Sequence, residues 1–265
     1  MSDSPTAEGV PMLVGSSLKM YFSHARTVAW AREVADLLRA KPATGVTAFV
    51  IPQYPSIPAC VEIGAPVGLA VGAQDIATED EGAFTGEVSG AVLAELGCRF
   101  VEVGHAERRR LFGETDDVVA AKVFAAQRHG LVPILCVGEA DREDATDALA
   151  EVVRQIESGL AAARAAGLHG EVVIAYEPLW AIGAAEPAGA PHIRRVCAAL
   201  RSHLAGAPEK ASVIYGGSAG PGLLGNVADA VDGLFLGRFA HDPRAFGAIL
   251  DEAAPLAARR LEEAR

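Results

Sequence analysis

Cysteine is scarce in this chain and never clustered. Cys60, Cys98, Cys136 and Cys197 stand far apart, with no CxxC pair among them. That spacing supports neither a disulfide framework nor a zinc site, and reduced thiols in a cytoplasm are the plain expectation. Cys136 falls inside an apolar run and reads as a small core residue. The seven histidines include no HxxxH or HExxH pair, so the sequence predicts no metal site.

Positive charge is also short. Twenty-three Lys and Arg face 34 Asp and Glu, a formal charge of −11, and no basic stretch offsets it. This balance argues against nucleic acid or an anionic membrane surface as a partner. Long apolar runs are missing too, since none approaches the ~18 residues of a membrane span. The N-terminus lacks the basic-then-apolar pattern of a secretory signal, and residues 1–10 read as a disordered tail. An anionic small molecule remains open as substrate, its charge met locally by a few cations and backbone amides.

What the chain does have is alternation. Short apolar, β-rich runs lie at residues 12–15, 46–51, 69–71, 99–103, 132–136, 172–176, 213–215 and 233–236. Most are followed by a stretch of helical periodicity. Ser23 caps the first of these, with Val28, Ala31, Val34 and Leu38 at helical spacing. The clearest spans 144–166, where Leu149, Val152, Val153, Ile156 and Leu160 keep one apolar stripe. Further helices are expected near 116–129, 191–204 and 243–265. Strand–helix repeats of this kind demand parallel strands with right-handed crossovers. Eight of them fit a closed single-domain (β/α)8 barrel over residues 11–265 better than an open doubly wound sheet.

Barrels keep their chemistry at the C-terminal ends of the strands, and the candidates gather there. The run 172–176 ends in Glu177, followed at once by Pro178, Leu179 and Trp180. Such neighbours desolvate a carboxylate, raise its pKa and make it a better base near neutrality. A glutamate capping the next helix is the competing reading. After the first strand, extended geometry turns Ser17 and Lys19 the same way, with Leu18 opposite. A lone lysine there is more often a solvated surface residue. His105 follows Gly104 at the end of the fourth strand; at a helix start the dipole keeps an imidazole neutral, still able to donate one N–H to an oxyanion. A loop histidine held by an ordinary hydrogen bond accounts equally well for that segment. Gly216-Gly217-Ser218 and Gly237 fit a phosphate cradle, because glycine puts no Cβ between backbone N–H and anion. Gly216 to Gly220 also matches GxSxG, with Asp232 and His241 following in hydrolase order. All three residues crowd the chain's end, which leaves no room for the strands that normally separate them. The GxGxxG of residues 220–225 does not open the first strand–helix unit, and Pro221 removes an amide a pyrophosphate would need.

Taken together, these segments resemble the triosephosphate isomerase family along nearly the whole chain. The residues that carry the resemblance are Lys19, Gly72-Ala73-Gln74, residues 82–87, Val103-Gly104-His105-Ala106-Glu107-Arg108-Arg109, Cys136-Val137-Gly138-Glu139, residues 175–183, residues 215–218 and Asp232-Gly233. That family is a worked case of pKa tuning, and the roles that follow are the family's. The resemblance implies that Glu177 is the base, His105 the polarising acid–base partner, and Lys19 the cation facing an enediolate. It places Ser17 and Glu107 beside the site, pairs Arg108 with Glu114, and gives the phosphate to Gly183, Ser218 and Gly237, with Arg238 at the cradle's edge. Residues 178–191 become a lid latched by Tyr215, and Thr85 inserts into a neighbouring subunit of a homodimer. No metal or organic cofactor is implied.

The chain departs from the family pattern in ways that bear on substrate. The family has Asn where Ser17 stands, Trp and Asn where Leu18 and Tyr21 stand, Ser at Ala106 and Gly at Arg238. The lid lacks the usual Thr-Gly-Lys-Thr and is one residue longer. Three functions are compatible with these features. The family default, placed first, interconverts dihydroxyacetone phosphate and glyceraldehyde 3-phosphate, with a place in glycolysis and gluconeogenesis. The second acts on a four-carbon ketose phosphate, L-erythrulose 1-phosphate to D-erythrulose 4-phosphate. The third is a non-catalytic homologue that binds a sugar phosphate.

Overall fold

The computed structural model describes residues 11–142, 144–184 and 188–263. The expected tail at 1–10 and the centre of the lid, 185–187, lie outside the described residues. Eight parallel strands run β1 (Met12–Ser17), β2 (Val46–Ile51), β3 (Ala70–Ala73), β4 (Phe100–Val103), β5 (Val132–Val137), β6 (Val172–Tyr176), β7 (Ala211–Tyr215) and β8 (Gly233–Leu236). They pair in chain order, and β8 returns to β1 to close the barrel.

Each strand is covered on both sides, so both of its faces are apolar. In β6, Val173 and Ala175 enter the barrel's interior cluster, whereas Val172, Ile174 and Tyr176 join the core beneath the helices. The interior is filled by Leu13, Phe49, Ile51, Phe100, Ile134 and Phe235 among others. Gly15 makes this plug possible, because a Cβ there would lie 2.0 Å from the Phe49 ring. Phe49 in turn stacks on Phe235 at 5.9 Å.

The helices of the outer layer begin where their caps predict. Helix α1 (His24–Ala40) opens on Ser23, whose side chain accepts from Arg26 N–H, and its buried stripe runs through Trp30, Ala31, Val34 and Leu38. Val28 is only half-buried, because Thr27 and Trp30 take the inward face. Then follow α2 (Ile57–Gly64), α3 (Gly90–Glu95), α4 (Ala106–Phe112) and α5 (Asp116–Arg128). Helix α6 (Ala145–Ala165) is capped by Asp144, which accepts from Thr146 and Asp147 N–H. Helices α7 (Ala190–Leu204), α8 (Leu224–Val227) and α9 (Pro243–Glu263) complete the described chain. All four cysteines are buried and free. Among the described residues no helix is long and apolar enough to cross a membrane.

Strand parity decides what reaches the barrel mouth. Counting by twos from the interior residues Leu13, Phe100, Ala175, Ile214 and Phe235 leads to Ser17, Glu102, Glu177, Gly216 and Gly237.

Candidate active site

These side chains line a pocket of about 740 Å³ at the C-terminal end of the strands. Lys19, His105 and Glu177, drawn from three separate parts of the sequence, meet on its floor. Lys19 Nζ is 2.7 Å from His105 Nε2 and 3.3 Å from Glu107 Oε2. His105 Nε2 is 3.6 Å from Glu177 Oε2. Lys19 does not arrive by extended alternation. Its φ is +46°, a left-handed bend that costs a lysine on the order of 1 kcal/mol. Gln74 holds this bend, its amide donating to the carbonyls of Lys19 (2.9 Å) and Ile51 (3.1 Å).

His105 is the N-cap of α4, and its Nδ1 accepts from Glu107 N–H at 3.1 Å. An imidazole that accepts at Nδ1 carries its proton, when neutral, on Nε2. That N–H and the Lys19 ammonium, 2.7 Å apart between nitrogens, are then neighbouring donors from which one substrate oxygen can accept. Burial holds the His105 pKa below its ordinary value; Glu177 pulls it up and Lys19 pushes it further down. Burial also tends to lower Lys19, but Glu102, Glu177 and Glu107 outweigh it and keep the ammonium above 10.5. Glu177 is held above the ordinary carboxyl value by burial, against the pull of His105 and Lys19. Its Oε2 is buried with no hydrogen-bond partner. A base that is desolvated and unpaired is reactive for the reason that it is costly.

The lid's N-terminal hinge is pinned by a residue to which the sequence reading gave no role. Buried Glu139 accepts from Tyr176 Oη and from Trp180 Nε1 (2.9 Å). At the other end Tyr215 Oη accepts from Ala188 N–H at 3.0 Å, where the latch was expected. Ser218 has φ +52°, and its hydroxyl lies 2.8 Å from the Ala181 carbonyl and 3.0 Å from that of Ala184. Arg238 donates from Nη2 to the Gly183 carbonyl at 3.0 Å, tying β8 to the lid. Gly183, Ser218, Gly237 and Arg238 all line the pocket. The hydrolase-like trio is not assembled, since Ser218 bonds the lid, Asp232 accepts from Val213 N–H, and His241 packs on Phe22.

Arg108 and Glu114 are paired at 2.5 Å, within a wider network. Asp75 bridges to Arg108 (2.7 Å) and to Lys122 (2.5 Å), and Lys122 reaches Glu114 (2.6 Å). Of these four, Arg108 and Glu114 are the pair that the family resemblance implies. Thr85 is exposed in the loop between β3 and α3. Glu102 was not singled out at all, although a carboxylate inside the apolar run of β4 was the available signal. It is 3 % exposed and accepts from Ser17 Oγ at 2.8 Å.

The barrel agrees with what sequence comparison finds. The model of the family described as triosephosphate isomerase matches residues 12–253. The chain belongs to the triosephosphate isomerase family. Within that family it is 50 % identical, over 94 % of its own length and 98 % of the relative's, to an L-erythrulose-1-phosphate isomerase of Pectobacterium atrosepticum. It is 41 % identical to a triosephosphate isomerase of Mycobacteroides abscessus, covering 88 % of this chain and 93 % of that one. It is 38 % identical to a triosephosphate isomerase of Synechococcus sp., covering 91 % and 96 %. The order of the two substrate readings is thereby reversed, with the four-carbon ketose phosphate ahead of the triose.

Proposed function

We propose that this chain is a cofactor-independent isomerase of a four-carbon ketose phosphate, interconverting L-erythrulose 1-phosphate and D-erythrulose 4-phosphate. The observation that carries the substrate is the 50 % identity to a protein of that name, against 38–41 % to those named for the triose. The convergence of Lys19, His105 and Glu177 supports catalysis over passive binding.

Glu177 removes the proton from C3 of L-erythrulose 1-phosphate. The C–H electron pair becomes the C2–C3 double bond of an enediolate, and negative charge moves to the C2 oxygen. That oxygen accepts from His105 Nε2–H and the neighbouring Lys19 ammonium, so charge develops where donors are pre-set. His105 shuttles a proton between the two enediolate oxygens, and Glu177 returns its own to C2, leaving the carbonyl on C3. Closure of residues 178–184 and 188–191 over the substrate excludes water from the intermediate. Backbone amides of Gly183, Ser218 and Gly237 hold the phosphate, and the remaining N–H groups of Arg238 face the same anion. Ser17, shorter than asparagine, leaves space for the extra carbon. Glu107 adds negative charge beside Lys19, and the Arg108–Glu114 pair braces α4. The working form is a cytoplasmic homodimer in which Thr85 enters the neighbouring subunit.

The three-carbon substrate is the second reading, favoured by the description of the family model. Turnover of L-erythrulose 1-phosphate and dihydroxyacetone phosphate, measured side by side, separates the two. The expected result is a higher kcat/KM on the tetrulose; a higher value on the triose would overturn the substrate assignment.

A further inference from the structure

The isomerisation uses one base and two donors, yet the pocket floor holds another carboxylate. Glu102 projects inward from β4, two residues beyond Phe100 of the interior plug, and is paired in register with Ile134. Burying a carboxylate among such neighbours is unfavourable unless its oxygens are hydrogen-bonded. Oε2 takes the hydrogen of Ser17 Oγ at 2.8 Å. Oε1 stands 3.8 Å from His105 Nε2, beyond hydrogen-bonding reach, in a residue that lines the pocket. One lobe of this carboxylate is therefore satisfied within the protein, and the other faces the space a substrate would enter.

Its place in the barrel says which part of a substrate it meets. The candidate phosphate contacts Ser218 and Gly237 follow β7 and β8, and β4 lies across the barrel from β8. A chain anchored by its phosphate over β7 and β8, with its reacting carbons under His105 and Glu177, extends toward β4, where the Ser17 side chain reaches across from β1 to Glu102. There it meets two acceptors: Glu102 Oε1, and Ser17 Oγ, whose own hydrogen is already committed. An alcohol has one hydrogen to give, and the carboxylate oxygen is the stronger acceptor of the two. A three-carbon ketose phosphate has only hydrogen at the carbon where the four-carbon sugar bears CH2OH.

We propose that Glu102, held by Ser17, is a specificity-determining contact that accepts a hydrogen bond from the terminal hydroxymethyl group of a four-carbon ketose phosphate. This assignment rests on the tetrulose reading given above. It selects by absence as well as by presence, because a substrate without that hydroxyl leaves a buried carboxylate lobe unpaired. Burial raises the Glu102 pKa, opposed by Lys19 and the Ser17 hydrogen bond. A purely electrostatic role, as counter-ion to Lys19, would serve triose and tetrulose alike.

The test compares kcat/KM on L-erythrulose 1-phosphate and dihydroxyacetone phosphate for the wild type, Glu102→Gln and Ser17→Asn. Calorimetric binding of erythritol 4-phosphate and glycerol 3-phosphate to the same proteins gives a readout independent of turnover. Glu102→Gln should lose at least roughly tenfold more on the tetrulose than on the triose, the scale of a hydrogen bond to a charged group. The binding advantage of the four-carbon alcohol should fall by a similar factor. Ser17→Asn, which breaks the Ser17–Glu102 bond and fills the space beside it, should move both ratios the same way and carries the test if Glu102→Gln does not fold. Equal losses on both substrates, with the binding ratio unchanged, would overturn the hydroxymethyl assignment and leave the isomerase reading standing. A wild type that turned over only the triose would overturn both.

Discussion

Glu177 Oε1 occupies the space that any side chain at position 216 would need: a Cβ built on Gly216 would stand 2.3 Å from it. The glycine at the end of β7 thus serves the base of β6 directly, before any contribution to a phosphate cradle. Two strand ends are fitted to each other, and the base has its position because its neighbour has no side chain.

Gly216→Ala should therefore displace the Glu177 carboxylate. A misplacement of about 1 Å lowers turnover on the order of 10²-fold. Steady-state kinetics on either ketose phosphate should show that loss mainly in kcat, with KM altered far less. A fall in KM-determined affinity with kcat intact would mean that the glycine acts on the phosphate and not on the base.

The pH profile follows from the same burial. Glu177 must be ionised to act, and burial holds its pKa above 4.5. The acid limb of kcat/KM, corrected for the substrate phosphate's own ionisation near ~6, should have its midpoint above 4.5. His105 is held below 6.5, so no histidine limb should appear at that value. Stability runs the opposite way. The folded-state pKa of Glu177 exceeds the unfolded one, so between the two values the native chain keeps a proton the unfolded chain has lost. Its contribution to stability therefore rises as pH falls through that window, and the cost is fully present above it. Denaturant titrations of wild type and Glu177→Gln should converge at the acid end of the window, with the variant the more stable at neutral pH. An acid limb at or below 4.5 would contradict the account.

The four-residue network beneath α4 makes a prediction about folding. Lys122 is 7 % exposed and bonds both Asp75 and Glu114, at 9 % and 4 %. Lys122→Met leaves two buried carboxylates sharing Arg108 alone, and should cost about 3 kcal/mol, the range for breaking a buried pair from one side. Urea unfolding measures it directly. A loss below ~1 kcal/mol, the value of an exposed pair, would show that the network contributes little.

Much of this architecture could be read from the sequence, for a physical reason. Barrel strands are buried on both faces, so 172–176 and 233–236 stand out as unbroken apolar runs, and 46–51 as one interrupted only by Thr47. The edges at β3 and β7 were less clear, since Ala73 and Ala211 carry no strong preference for a strand. Ser17, Lys19, His105 and Glu177 stand out in the sequence because each lies at, or within two residues of, a strand's C-terminal end. The backbone geometry of Lys19 does not, because nothing local announces a left-handed lysine held by Gln74 from another loop. Arg238 illustrates the limit from the other side: its residue type fits a phosphate, but its partner, the Gly183 carbonyl, lies 55 positions away. Glu102 was legible in principle, as the one charge in Phe100-Val101-Glu102-Val103, and parity would have turned it inward.

The central claim is that Glu177 moves the proton while other groups hold the phosphate. Glu177→Gln preserves shape and removes the base, so turnover of L-erythrulose 1-phosphate by this variant, together with its affinity for glycerol 3-phosphate, tests the claim most directly. The account predicts a loss of at least ~10³ in kcat, in the upper part of the range for a positioned base, with affinity nearly unchanged. Wild-type turnover by the variant would contradict it.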